Sequence, residues 1–124
     1  GLYPWQAEHQ YAAALWAKEN LPTDTRLASM NSGVIGYYSG LTTVNMDGVV
    51  NPQAFEAIRN TRMLDYLQES DVDYLLDSDN AVNLEYGMFM GDGFPEQLRE
   101  TETLTDEYPG LGVLRLYEVV PDAD

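Results

Sequence analysis

Residues 21–77, LPTDTRLASMNSGVIGYYSGLTTVNMDGVVNPQAFEAIRNTRMLDYLQESDVDYLLD, decide the fold. Arg26 to Met30 is a short strand candidate that stops at Asn31-Ser32-Gly33. Val34 to Ser39, with Gly36 and two tyrosines, predicts a short helical turn ended by Gly40. Leu41 to Met46 (LTTVNM) is rich in β-branched residues and predicts a second strand, turned by Asp47-Gly48. Asn51-Pro52 opens a helix, with Asn51 as N-cap and Pro52 at the first helical position. That helix is expected to run to about Glu69 on a stripe of Phe55, Ile58, Arg62, Leu64 (or Met63) and Leu67. Asp71 to Leu76 (DVDYLL) predicts the third strand, closed by Asp77-Ser78-Asp79-Asn80.

Upstream, Pro4 to Asn20 reads as a helix. Trp5, Tyr11, Ala12, Leu15, Trp16 and Glu19 keep helical spacing, and Asn20-Leu21-Pro22 stops it. Thr23-Asp24-Thr25 is a polar turn. Downstream, Ala81 to Phe89 fits a helix or irregular chain, Gly91-Asp92-Gly93 a loop, and Pro95 to Arg99 at best a short helix. Glu102 to Asp106 and Gly112 to Val119 alternate as strands around Glu107-Tyr108-Pro109-Gly110, a hairpin signal. Pro121 and Asp122-Ala123-Asp124 trail off. The expectation is one α/β domain over residues 1–124. It is a small two-layer or three-layer sheet of mainly parallel strands, with flanking helices and a C-terminal antiparallel hairpin.

The 124 residues (13.9 kDa) suffice for one core, and a hydrophobic fraction of 44% is that of a globular chain. Twenty-one acids against six bases give a formal charge of -15. Such a surface repels a phosphate backbone, which excludes nucleic-acid partners, and it disfavours anionic membranes. Dispersed acids with a single Lys, Lys18, resemble the composition of halophile proteins, whose self-repulsion is screened by salt. An ordinary acidic bacterial domain is the alternative. No apolar run reaches the roughly 18 residues of a membrane span. Without cysteine there is no disulfide, thiolate metal site or thiol nucleophile, and no motif calls for a cofactor. Any histidine chemistry must run through His9, the one histidine. The chain begins at Gly1, as expected of a processed chain or an excised piece of something longer.

In open α/β sheets, ligands sit beyond the carboxyl ends of the parallel strands. Two stretches there carry the candidate ligand-binding residues Asn31, Ser32, Gly33, Tyr37, Asp47 and Asn51. A glycine turn that opens a helix, as at Asn31-Ser32-Gly33, leaves backbone N–H groups for an anion. It lacks the lysine and spacing of a phosphate loop, and a tight strand–helix turn whose glycines serve backbone geometry is the favoured account. Asp47 could accept a sugar hydroxyl, although a turn and a capped helix explain Asp47 to Asn51 without a ligand. Asp71, Asp73, Asp77 and Asp79 fail the EF-hand pattern: Val82 stands where glycine is needed and Met88 where the closing glutamate should be. A weak cation site at Asp77 and Asp79 stays open, beside the plainer reading of a solvated acidic surface. Ser29, Ser32 and Ser39 lie in no nucleophile elbow. The tyrosines and tryptophans could stack on sugar rings or fill the core. Trp5, Tyr11 and Trp16 fit a packing stripe or a surface that meets another domain.

Leu21-Pro22, Asn31, Gly33, Gly36-Tyr37, the strand into Asp47-Gly48, Asn51 and Asp73-Tyr74-Leu75 together resemble a known pattern. It is that of the soluble C-terminal domain of polytopic GT-C-type membrane glycosyltransferases, the dolichyl-phosphate-mannose/aminoarabinose-transferase-like proteins. The match spans about residues 21–77. The resemblance implies a domain on the extracytoplasmic face of the cell membrane, joined to a membrane-embedded part of the same protein. It also implies a parent enzyme that moves sugar from a polyprenyl-phosphate donor. Its catalytic acid lies in a membrane-proximal loop with no counterpart here, so no residue of this segment is catalytic. Partners implied by the resemblance are the membrane-embedded part and a glycan or lipid-linked sugar. The rival is a stand-alone soluble α/β module that binds a nucleotide or other small ligand at Asn31-Ser32-Gly33. A free-standing enzyme built on paired carboxylates or a metal is the third alternative, and no spacing compels it.

Overall fold

A computed structural model describes residues 6–107 and 112–121. The expected helix start at Pro4, Trp5, the turn residues Tyr108-Pro109-Gly110 and the tail Asp122-Ala123-Asp124 lie outside the described residues.

Among the described residues five strands form one sheet: β1 (Arg26–Ser29), β2 (Thr42–Asn45), β3 (Tyr74–Ser78), β4 (Leu98–Thr103) and β5 (Leu114–Val119), in the order β2-β1-β3-β5-β4. β1 pairs in parallel with β2 and β3, while β5 runs antiparallel between β3 and β4. The expected α/β class, with its parallel strands, flanking helices and C-terminal antiparallel pair, is what the chain forms.

Helices cover both faces. A wide helical turn (Gln6–Gln10) leads into α1 (Tyr11–Asn20), and with α2 (Ser32–Ser39) it packs on one face over Leu27, Leu76, Leu114 and Leu116. On the other face, α3 (Pro52–Arg59) and α4 (Met63–Glu69) cover Ala28, Leu75, Tyr117 and Val119. The alternation Leu75/Leu76 and Leu116/Tyr117 divides the two cores as a period of two requires. Central β3 is buried on both faces, so its apolar run is continuous rather than alternating.

Several boundaries differ from expectation, each for a local reason. The long helix after Asn51 is two helices. Thr61 takes φ 54 between them, and the Arg62 amide bonds to the Ala57 carbonyl at 2.9 Å, which turns the chain. The buried stripe is Ala54, Ala57, Met63, Leu64, Tyr66 and Leu67, whereas Phe55 is 51% exposed. α1 likewise buries Ala13, Ala14 and Ala17 rather than its aromatic residues; Tyr11 is exposed and Trp16 half-buried. β3 begins at Tyr74, because Asp71 (φ 56) belongs to the turn and the Val72 amide is spent on the Leu67 carbonyl. β4 begins at Leu98, earlier than the expected Glu102, and the anticipated short helix at Pro95 to Arg99 is a turn running into it. Its sequence LRETET exposes every residue after Leu98, so it lacks the apolar alternation that marks a strand. Charges on an outer strand also discourage edge-to-edge pairing.

Candidate functional site

The carboxyl ends of β1, β2 and β3 converge, and Asp77 joins them. Its side chain lies in the core between β3 and the segment after β1. One carboxylate oxygen accepts the Met30 amide at 2.7 Å and the Ser29 hydroxyl at 3.4 Å; the other accepts the Ser78 amide at 2.8 Å. Around it stand Met30, Met46, Leu75, Ala81, Val82 and Tyr86, with no space for water among them. Burial pushes the Asp77 carboxyl up from 3.8 to about 6, against the lowering effect of its hydrogen bonds, and Glu85 adds repulsion. In chain order β1 leads to a helix on one face of the sheet, and β3 to the helical turns on the other. Their carboxyl ends flank the crevice in which open sheets usually hold ligands. Here an acidic side chain fills that crevice from within.

β2 is tied to the same place. The Met46 amide donates to the Ser29 carbonyl (3.0 Å) and the Tyr86 hydroxyl to the Met46 carbonyl (2.9 Å). Burial, followed by the charges of Asp47, Asp77 and Glu85, pushes the Tyr86 hydroxyl up to about 12, so it remains a donor at neutral pH.

The predicted ligand residues fall around this knot. Asn31 and Ser32 are half-buried and Gly33 is exposed, at the start of α2. Asn31 provides no side-chain cap, and its amide donates to the Ser29 hydroxyl at 3.2 Å. A methyl group added at Gly33 would meet nothing within 4 Å, so this turn is open. Asp47 accepts the Val49 amide at 2.9 Å, closing its own turn. Asn51 caps α3 as expected, accepting the Gln53 and Ala54 amides, while its amide group donates to the Asn45 carbonyl (2.6 Å) and the Tyr66 hydroxyl (3.0 Å). Four internal bonds commit Asn51 to structure. Tyr37 stands apart on α2, 81% exposed, edge-on to Tyr38 at 4.9 Å, which in turn meets Tyr11 at 4.7 Å. The structure thus brings Asn31, Ser32, Gly33, Asp47 and Asn51 to one end of the sheet, and places Tyr37 on a separate aromatic ledge.

The Asp77 and Asp79 carboxylates make separate sets of hydrogen bonds. Asp79 accepts the Asn80 and Val113 amides at 2.9 and 3.0 Å, clamping β5 to the end of β3. Gly112 (φ +79) lies so close to that carboxylate that a side chain there would displace it. Among the described residues no three His, Asp or Glu side chains gather as a metal site, and no helix is long and apolar enough to cross a membrane. Open concavities lie elsewhere among the described residues. One of about 550 Å³, with Asp24, Asp71, Asp73 and Glu118, sits at the amino ends of the parallel strands; another of about 560 Å³ lies between Glu8, His9, Ala12 and residues 103–107. Beyond a cluster of aspartates, no sequence signal marks the Asp77 knot, and none marks the Tyr86 tether.

In class, this is a small α/β domain with a central mixed sheet and helices on both faces. The chain belongs to the family described as a domain of unknown function (DUF8728), whose model matches residues 3–120. No curated protein matches it by sequence. Among solved structures, it is similar to the C-terminal globular domain of the oligosaccharyltransferase AfAglB-S2 from Archaeoglobus fulgidus. The TM-score is 0.51 at 15% identity, covering 86% of this chain and 94% of that one. At that identity the likeness is one of fold.

Proposed function

We propose that the chain is a non-catalytic, extracytoplasmic accessory domain of a membrane glycosyltransferase-like protein. The observation that carries this reading is the fold shared, over nearly the whole of both chains, with a globular domain of an oligosaccharyltransferase. The motif pattern across residues 21–77 supports it independently, since it points to the same kind of parent from sequence. The open turn at Asn31–Gly33, the neighbouring Asp47 turn and the exposed Tyr37 ledge are the surfaces offered to a glycan or lipid-linked sugar. A flat exposed tyrosine suits a sugar ring, and the uncapped start of α2 suits an anionic group.

Two measurements test it. The reading frame around the codons for residues 1–124 should continue into several apolar spans of about 20 residues each. A frame confined to a soluble protein would sink the parentage. Isotope-resolved titration with soluble glycans and polyprenyl-phosphate sugars should move amides of Asn31, Ser32, Gly33, Tyr37 and Asp47. No shift there at millimolar ligand removes the contact surface. Shifts with nucleotides alone would favour a stand-alone small-ligand module, for which the open, uncapped start of α2 is the supporting observation.

A further inference from the structure

Asp77 is only 4% exposed, and what covers its carboxyl falls into two kinds. Met30 and Met46 follow directly on β1 and β2, whose backbones are laddered into the sheet, and Leu75 lies within β3. Ala81, Val82 and Tyr86 belong instead to the helical turns Ala81–Glu85 and Gly87–Phe89, which lie outside the sheet. Hydrogen bonds along these turns are short in span. The Tyr86 amide donates to the Ala81 carbonyl at 2.9 Å, and the Phe89 amide to the Tyr86 carbonyl at 2.8 Å. Both ends of the segment are fixed: the Ala81 amide donates to the Ser78 hydroxyl at 3.0 Å, and the Met90 carbonyl accepts the Leu64 amide at 3.1 Å. Between those ends Val82 and Tyr86 are buried and the Tyr86 hydroxyl reaches the Met46 carbonyl, while Asn83, Leu84, Glu85 and Met88 are exposed. A segment with few buried anchors and an exposed outer side opens at lower free energy than a core strand.

Ionisation gives this segment a reason to open. In the closed form the Asp77 carboxylate has the Met30 and Ser78 amides and the Ser29 hydroxyl as donors, and no room for water. Burial outweighs those bonds, and Glu85, on the segment itself, repels the charge. Tyr86 and Tyr117 stand near as phenols raised by burial, and Asp47 acts on Tyr86 from the end of β2. Arg115 is the register partner of Asp77 on β5, but its guanidinium is engaged by Glu100 at 3.3 Å and Thr103 at 3.2 Å, with Asp79 at 4.0 Å. Swinging the segment outward admits water to the carboxylate and takes Glu85 away from it. We propose that residues 81–89 are a flap over the crevice at the carboxyl end of the sheet, and that ionisation of Asp77 opens it, baring the carboxylate and the Ser29 hydroxyl beside the Asn31–Gly33 turn. The inference does not depend on the parentage proposed above. The closed flap holds the Asp77 carboxyl near 6, and opening returns it to its ordinary 3.8, so the closed form binds the proton more tightly. Below about pH 4 both forms are protonated and the flap is most firmly closed. Opening then grows about tenfold per pH unit up to about pH 6, and levels off about a hundredfold higher once both forms are ionised.

Native-state amide hydrogen exchange from pH 4 to 7.5 in molar KCl tests this, with each rate divided by the intrinsic rate at that pH. The Tyr86 and Phe89 amides should lose protection about tenfold per pH unit up to about pH 6 and hold level above it. Throughout, they should stay less protected than the amides of β3, which exchange through global unfolding. The Leu21 amide, bonded to the Ala17 carbonyl at the end of α1, should keep constant protection, because opening that helix does not bare Asp77. The Asp77 carboxyl carbon should titrate with its midpoint where the fall levels off. Asp77→Asn should abolish the fall, and Tyr86→Phe should lower flap protection at every pH without changing its slope. Should either variant fail to fold, the wild-type profile and the carboxyl titration decide alone. Flap amides as protected as those of β3, flap protection that is flat from pH 4 to 6, an equal fall at Leu21, or a fall that survives in Asp77→Asn would each overturn the inference.

Discussion

Asp77→Asn changes one buried group and should reshape the pH dependence of stability. In the fold the carboxyl titrates near 6 instead of 3.8, a shift of about two units caused by burial. At about 1.4 kcal/mol per unit this amounts to about 3 kcal/mol. The folded chain holds the Asp77 proton more tightly than the unfolded chain, so between about pH 4 and pH 6 the native state binds more protons. Stability therefore falls as pH rises through that window and levels off above it. Below pH 4 both states are protonated and the contribution is whole. The asparagine variant cannot titrate. It also turns an N–H group toward one of the two backbone donors, Met30 or Ser78, which costs about 1–3 kcal/mol at any pH. Urea unfolding of both proteins from pH 4 to 7.5, in molar KCl to screen the other acids, gives the difference directly. The wild type should lead the variant clearly at pH 4, and its lead should shrink by up to about 3 kcal/mol by pH 7.5. A stability difference that is flat across this range would show that Asp77 does not titrate in the fold as its burial requires.

Asn51→Ala should cost about 1–2 kcal/mol, the value of a strong N-cap, and more if Tyr66 loses its partner as well; chemical denaturation measures it. Gly91→Ala should destabilise by 2 kcal/mol or more, because φ is +86 and the new methyl would meet the Thr61 carbonyl oxygen. Gly33→Ala, in open space inside α2, should instead be neutral or up to about 1 kcal/mol stabilising, and thermal melts of the pair compare the two. With a net charge of -15 the melting temperature should climb steeply from dilute buffer to molar KCl, and a melt indifferent to salt would remove the halophilic reading.

The parts of the fold that were legible were those written in local chemistry. Asn51-Pro52 announced its helix and the cap formed as expected. Thr42 to Asn45 and Arg26 to Ser29 showed as strands because β-branched or apolar runs end at turn residues. What stayed hidden depended on tertiary packing. The break at Thr61 leaves no glycine or proline in the sequence, and Gly91, which packs against it, is thirty positions away. β4 was misplaced because a charged outer strand has no apolar alternation to read. At the candidate site, the loops were found because strand ends are predictable. Asp77 cannot be singled out from sequence because four neighbouring aspartates look alike on paper; which of them turns inward is set by the pleat of β3 and the closeness of Met30. Tyr37 is near the strand-end residues in sequence, whereas α2 carries it away to its own ledge.

The alanine stripe of α1 bears on the order in which this molecule comes apart. Ala13, Ala14 and Ala17 are each fully buried, yet each removes only a methyl group from water. Such a helix is held by closeness of fit more than by the quantity of oil it covers, and a fit is lost all at once when neighbours shift. Central β3, by contrast, is anchored by a leucine on each face, Leu75 on one and Leu76 on the other. Amide exchange should therefore find α1 opening as a unit well before β3, baring Leu27, Leu76 and Leu116 while the rest of the sheet stands.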